Sequence, residues 1–229
     1  MRRLALKCSL LSLMIAAVFP LSASATPAIT CHCFTDRSYD PARPAVADPY
    51  FLAMTQNSFL AVVFDIEKKG IVMKKQRGTS SDDLWIAYWV ASKTNASPDT
   101  LLQARQSKDS WKEVLAQQKI ASKPFGSRFS AELNAKAPAS RLAETVVDDL
   151  VGRYKLLNEG ELTAMRKTGA SNQEVIISAV LAVKTRQPAR QLHAAVKSGS
   201  KSWGSILQAA KVEPSEMQKE IAALLKSPR

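Results

Sequence analysis

The sequence predicts an all-α protein: two tandem, related multi-helix units that follow a signal peptide and an irregular N-terminal segment. Three observations carry this. Cap residues and Pro punctuate residues 48–229, each followed by apolar residues at helical spacing. No stretch sustains the period-two alternation of a half-buried strand. Sliding the chain by 91 positions also lays one half over the other, which reads as an internal duplication. With 229 residues, 46% hydrophobic and 23% charged, 8 Gly and 11 Pro, the balance is globular; it excludes collagen-like, disordered and membrane-embedded chains.

At the start, Arg2, Arg3 and Lys7 precede an apolar run over residues 8–19. Pro20 breaks the run, and Ala23 and Ala25 place small residues where a signal peptidase reads. The run falls short of the ~20 residues of a membrane-spanning helix. Cys31 lies well past it and lacks the small residue that precedes a lipoprotein cysteine. The expectation is a signal peptide over 1–25, a periplasmic or secreted product starting at Thr26, and no transmembrane span after cleavage. Residues 26–47 read as an irregular Cys- and Pro-containing segment.

The first repeat is expected over 48–133. Asp48 is read as an N-cap with Pro49 at the first helical position, opening a helix that continues to Lys69 and Gly70. After a 134–139 linker the second repeat spans 140–229, and its first helix starts near Ser140 and closes at Asn158 to Gly160. A short basic segment then ends at Gly78 or Gly169, each suited to a left-handed C-terminal cap. Ser80 with Asp83, and Ser171 with Glu174, have capping-box spacing ahead of apolar runs, predicting the buried central helix of each repeat. Ser97 with Pro98 and Gln187 with Pro188 open the next helix. Ser110 with Trp111 and Glu113, or Ser202 with Trp203, opens the one after it. Pro214 starts a last amphipathic helix through Met217, Ile221, Leu224 and Leu225. Identities at the 91 offset include Gly78/Gly169, Ser80/Ser171, Ile86/Ile177 and Leu101/Leu192; at an offset of 92 they include Trp111/Trp203.

The stretch over residues 198–212, with its Gly turn, Ser202-Trp203-Gly204 and Ile206, resembles a motif of uncharacterised exported bacterial helical proteins. The resemblance implies a helical exported protein and supplies no activity. The first repeat departs from it, with Lys112 where the second has Gly204. The same stretch is similar to the opening of a helix-turn-helix. The export signal and the acids Glu213, Glu216 and Glu220 argue against nucleic acid as a partner.

Cys31, His32 and Cys33 form the one cluster of reactive side chains. Three readings stand: a disulfide in an oxidising compartment, a redox pair with His32 lowering a thiol pKa, or a soft-metal site for copper or zinc. The net charge of +12 suggests anionic partners. Its one dense cluster, Lys68, Lys69, Lys74, Lys75 and Arg77, reads as a solvated helical face or as a binding rim. His193 is expected to be a packed or half-exposed residue. Ser80, Asp83, Trp111, Ser171, Glu174 and Trp203 are expected to be structural, with Glu174 also weighed as the acid of a wall-polymer hydrolase. The leading expectation is a non-enzymatic protein binding a partner protein or an anionic envelope component. The alternative is a thiol-disulfide or metal-handling protein acting through Cys31, His32 and Cys33.

Overall fold

A computed structural model describes residues 34–226, which are all-α, with no strand among them. The expected signal peptide and the Cys31, His32 and Cys33 cluster lie outside the described residues. The first six helices are α1 (Asp48–Val63), α2 (Lys68–Gln76), α3 (Ser81–Lys93), α4 (Pro98–Arg105), α5 (Trp111–Gln117) and α6 (Ser127–Asn134). The next six are α7 (Ala139–Arg153), α8 (Glu159–Lys167), α9 (Asn172–Thr185), α10 (Ala189–Lys197), α11 (Trp203–Ala209) and α12 (Met217–Lys226). Each of α7 to α10 begins 91 residues after its counterpart among α1 to α4, and a 3-10 turn precedes both α6 and α12. Among the described residues no helix is long and apolar enough to cross a membrane.

Local chemistry explains most boundaries. The side chains of Ser80, Ser97, Ser110, Asn158, Ser171 and Ser202 each accept a backbone N–H three residues on, satisfying a donor the helix cannot. The reciprocal arm of a capping box is made at Ser171, whose own N–H reaches Glu174 at 2.8 Å. At Ser80 the backbone N–H is not met: Asp83 instead accepts from the Ser80 hydroxyl at 2.8 Å, and from Trp111 Nε1 at 2.8 Å and Arg105 Nε at 3.2 Å. Gly78 (φ 93°) and Gly169 (φ 81°) close α2 and α8 in the left-handed region. There Thr79 N–H returns to Lys74 O and Ala170 N–H to Met165 O. Asn158, expected inside a helix end, instead opens α8, and α1 stops at Val63 rather than at Gly70.

The central helices α3 and α9 are buried nearly all round; Leu84, Trp85, Ile86, Val175, Ile176 and Ile177 are fully inaccessible. Side chains of this size contribute roughly 1.5–3 kcal/mol each on burial. The halves interleave around these two helices. α7 packs against α3 and α6, whereas α1 packs against α9, α11 and α12. Each opening helix thus lies on the central and closing helices of the other series.

Asp48 explains how α1 is held there, and corrects its expected role. Ala47 occupies the N-cap of α1, and no side chain caps that helix. The buried Asp48 carboxylate instead accepts the N–H groups of Trp203 (3.0 Å) and Gly204 (2.9 Å), closing the N-terminus of α11 from outside. The approach needs a glycine. A Cβ on Gly204 would lie 2.8 Å from both Phe51 Cε2 and Tyr39 Cδ2. In the second series α7 carries Ala139 in place of Asp48, so the start of α5 receives no such contact, and Lys112 stands half-exposed where α11 has Gly204.

Gly204→Ala is expected to lower the unfolding free energy in urea by about 1–3 kcal/mol through overpacking against Phe51 and Tyr39. Lys112→Ala at the corresponding place should stay within about 0.5 kcal/mol. Equal effects of the two would contradict the close approach of α1 to α11.

Candidate functional site

A cleft of about 820 Å³ opens where the two series of helices meet. The segment before α1 and the first turns of α1 supply its apolar wall, from Phe34, Val46, Pro49, Leu52 and Ala53. Phe34 is steadied by an edge-on contact with Tyr50, the ring centroids lying 5.8 Å apart. The polar lining comes from the start of α3 (Ser80, Ser81, Asp82) and the start of α9 (Ser171, Asn172, Gln173). Thr35, Asp36, Gln56, Ser140, Glu144 and Arg166 complete it.

Most of these charges are already answered within the chain. Asp36 pairs with Arg43 at 3.4 Å and Glu144 with Arg141 at 2.8 Å. Arg166 gives Nη2 to Asp148 and Asn172, each at 2.7 Å, and Nη1 to the Ala170 carbonyl at 2.8 Å, so its guanidinium is spent on the fold. Two groups are left over. Asp82, half-buried, takes no hydrogen bond or ion pair from the described residues. Burial first, and the neighbouring Asp83 second, push its carboxyl above the usual range, against the pull of Lys75. Gln56 is only 2% exposed, and its amide oxygen has no partner among the described residues.

Beneath the cleft the two series repeat one polar device. Lys75 Nζ of α2 donates to Asn57 Oδ1 of α1 at 2.5 Å, and Arg166 of α8 donates to Asp148 of α7. Asn57 and Asp148, like Lys75 and Arg166, are 91 positions apart. The chemistry differs between them: a neutral amide meets a buried ammonium in one, and a carboxylate meets a guanidinium in the other. Burial pushes the Asp148 carboxyl up, with Arg166 the chief opposing influence.

The basic cluster read from sequence does not share one exposed face. Lys69 and Arg77 are exposed and Lys68 is half-buried. Lys74 is paired with Asp99, and Lys75 is in the interior at 4% exposure. The residues read as structural occupy structural positions. Asp83 ties α3 to Arg105 and Trp111, and both Trp111 and Trp203 are buried. Glu174 completes the cap of α9 and stands 3.7 Å from His193 Nε2, away from the cleft lining. His193 is a packed residue at 2% exposure, and burial holds its imidazole below the ordinary histidine range. Among the described residues no group of three His, Cys, Asp or Glu side chains is placed to hold a metal ion.

Gln56 and Arg166 escaped the reading of the sequence, which explains the adjacent acids Asp82 and Asp83 by capping or solvation alone. The polar run of Thr55, Gln56, Asn57 and Ser58 inside an otherwise apolar helix was the available signal, since a surface helix would turn only some of those residues outward. All of them are buried. Comparison of the chain with family models, with curated proteins and with solved structures finds no match.

Lys75 makes the interior pH-sensitive. Burial pushes its ammonium down to about 8 from an ordinary 10.5, partly opposed by Asp82. Between those values the unfolded chain binds more protons than the folded one, so stability should rise with pH across that window, by up to about 3 kcal/mol. Urea midpoints at pH 7.5 and 10 should therefore rise in the wild type relative to Lys75→Met; parallel pH dependences would remove Lys75 as the source.

Proposed function

We propose that this chain is an exported, non-catalytic binding protein built from two copies of one helical unit, and that it holds a segment of a partner protein in the cleft at their junction. The cleft carries the proposal: its apolar wall belongs to α1 and the segment before it, while its polar lining comes from α3, α7, α8 and α9 together with Asp36 and Gln56. A pocket drawn from so many helices is shaped by how the units meet, which suits binding by surface complementarity. Support for the duplication comes from the common helix order, the left-handed turns at Gly78 and Gly169, and the paired Lys75 and Arg166 devices. The dispersed basic cluster, with Lys75 inside and Lys74 paired, favours a partner protein over an anionic envelope polymer or lipid.

A second reading keeps the thiol or soft-metal chemistry of Cys31, His32 and Cys33. The observation that favours it is covalent: Cys33 directly precedes Phe34, which lines the cleft. Replacing both cysteines with Ser would change metal content or thiol exchange if that reading holds, and would leave both unchanged if it does not.

Native mass spectrometry tests the binding reading on chain recovered at low salt from its own compartment. The expected spectrum shows the processed start at Thr26 and added polypeptide mass. Ser140→Trp, at an exposed position lining the cleft, should lose that mass while keeping the fold. Retention of the mass in Ser140→Trp would place binding elsewhere.

A further inference from the structure

Resting on that reading, we infer that the cleft selects a cationic partner segment, a lysine side chain flanked by apolar residues, with the ammonium received by Asp82 and Gln56. The argument is one of unmatched acceptors. The whole chain is basic, at +12, yet the cleft's own cation, Arg166, is consumed by Asp148, Asn172 and the Ala170 carbonyl. Asp36 and Glu144 have arginines of their own. Asp82 and the amide oxygen of Gln56 remain, both of them acceptors.

A buried acceptor left without a donor, as the Gln56 amide oxygen is, is unfavourable, and a ligand bringing N–H groups removes that cost. An anion would instead meet the Asp82 carboxylate, which no cation bonds directly and which only the buried Lys75 attracts from the interior, at the start of α3, where Asp82 and Asp83 already answer the helix dipole. The apolar side chains of Phe34, Val46, Leu52 and Ala53 can cover the methylene stem of a lysine and its apolar neighbours, leaving the charged tip for Asp82. Lys75 does not occupy this place, because its ammonium is turned to Asn57 in the interior.

Calorimetric titration of the full chain with acetyl-Leu-Lys-Leu-amide and acetyl-Leu-Glu-Leu-amide tests the inference. The lysine peptide is expected to bind at least tenfold more tightly. Asp82→Asn should weaken it about tenfold, and Gln56→Leu several-fold. Neither change should lower the urea midpoint as loss of a structural contact would. On binding, the Asp82 carboxyl should titrate at lower pH, followed by NMR.

Equal or tighter binding of the glutamate peptide overturns the inference, and so does lysine-peptide binding that ignores Asp82→Asn. Failure of both peptides overturns it as well. None of these outcomes decides the broader reading, which stands or falls with the Ser140→Trp spectrum.

Discussion

Burying a carboxylate is unfavourable unless donors meet it, and Asp48 is met by two backbone N–H groups that lie 155 and 156 residues further along the chain. Those N–H groups open α11, so the charge also faces the favourable end of a helix. Burial still outweighs the two bonds, since the Asp48 carboxyl is held above its ordinary range. The contact is therefore better understood as specifying an arrangement than as adding net stability. It requires α1 to lie across α11, α9 and α12, and other features follow from that placement. Gly204 must lack a side chain, Phe51 and Tyr39 must fill the space over it, and the segment before α1 must run beside α3 and α9.

The cleft is a consequence of the same placement. With α1 lodged in the second series, Leu52, Ala53 and Gln56 face the starts of α3 and α9. Those starts are anchored: Ser80 and Ser171 cap them, and the helices behind them are buried on nearly every side. The wall facing them is an edge of α1 together with the irregular segment before it, which includes Phe34. A pocket formed this way needs no dedicated loop, and its chemistry is set by which polar groups the interleaving leaves unanswered. Asp82 and Gln56 are those groups.

Helices α7 to α10 each begin 91 residues after α1 to α4, and the corresponding positions differ in polar detail. Lys75 with Asn57 and Arg166 with Asp148 hold corresponding places, yet one pair carries a desolvated ammonium with no carboxylate bonded to it and the other is a charge-matched pair. Asp83 accepts from Trp111 in the first series, while Glu174 turns to its own cap in the second. The short arm of Asp83 does not make the return bond of a capping box, whereas the longer Glu174 does. Capping spacing alone could not distinguish them, because Ser80 and Ser171 are each followed three residues later by an acid.

Much of the helical plan was legible beforehand. Serines ahead of apolar runs and glycines suited to left-handed closure depend on chemistry within a few residues, so they can be read without knowledge of what packs on what. Helix ends such as Val63 and the start at Glu159 were misjudged because apolar spacing continues across the short turns between helices. Only the tertiary structure decided that Asp48 serves α11 instead of its own helix, that Lys75 points inward while Lys69 stays in water, and that Gln56 and Asp82 share a cleft. The physical reason is the same in each case: a side chain's partner, and the cost of burying it, depend on groups brought close by packing, and distance along the chain says nothing about which groups those are.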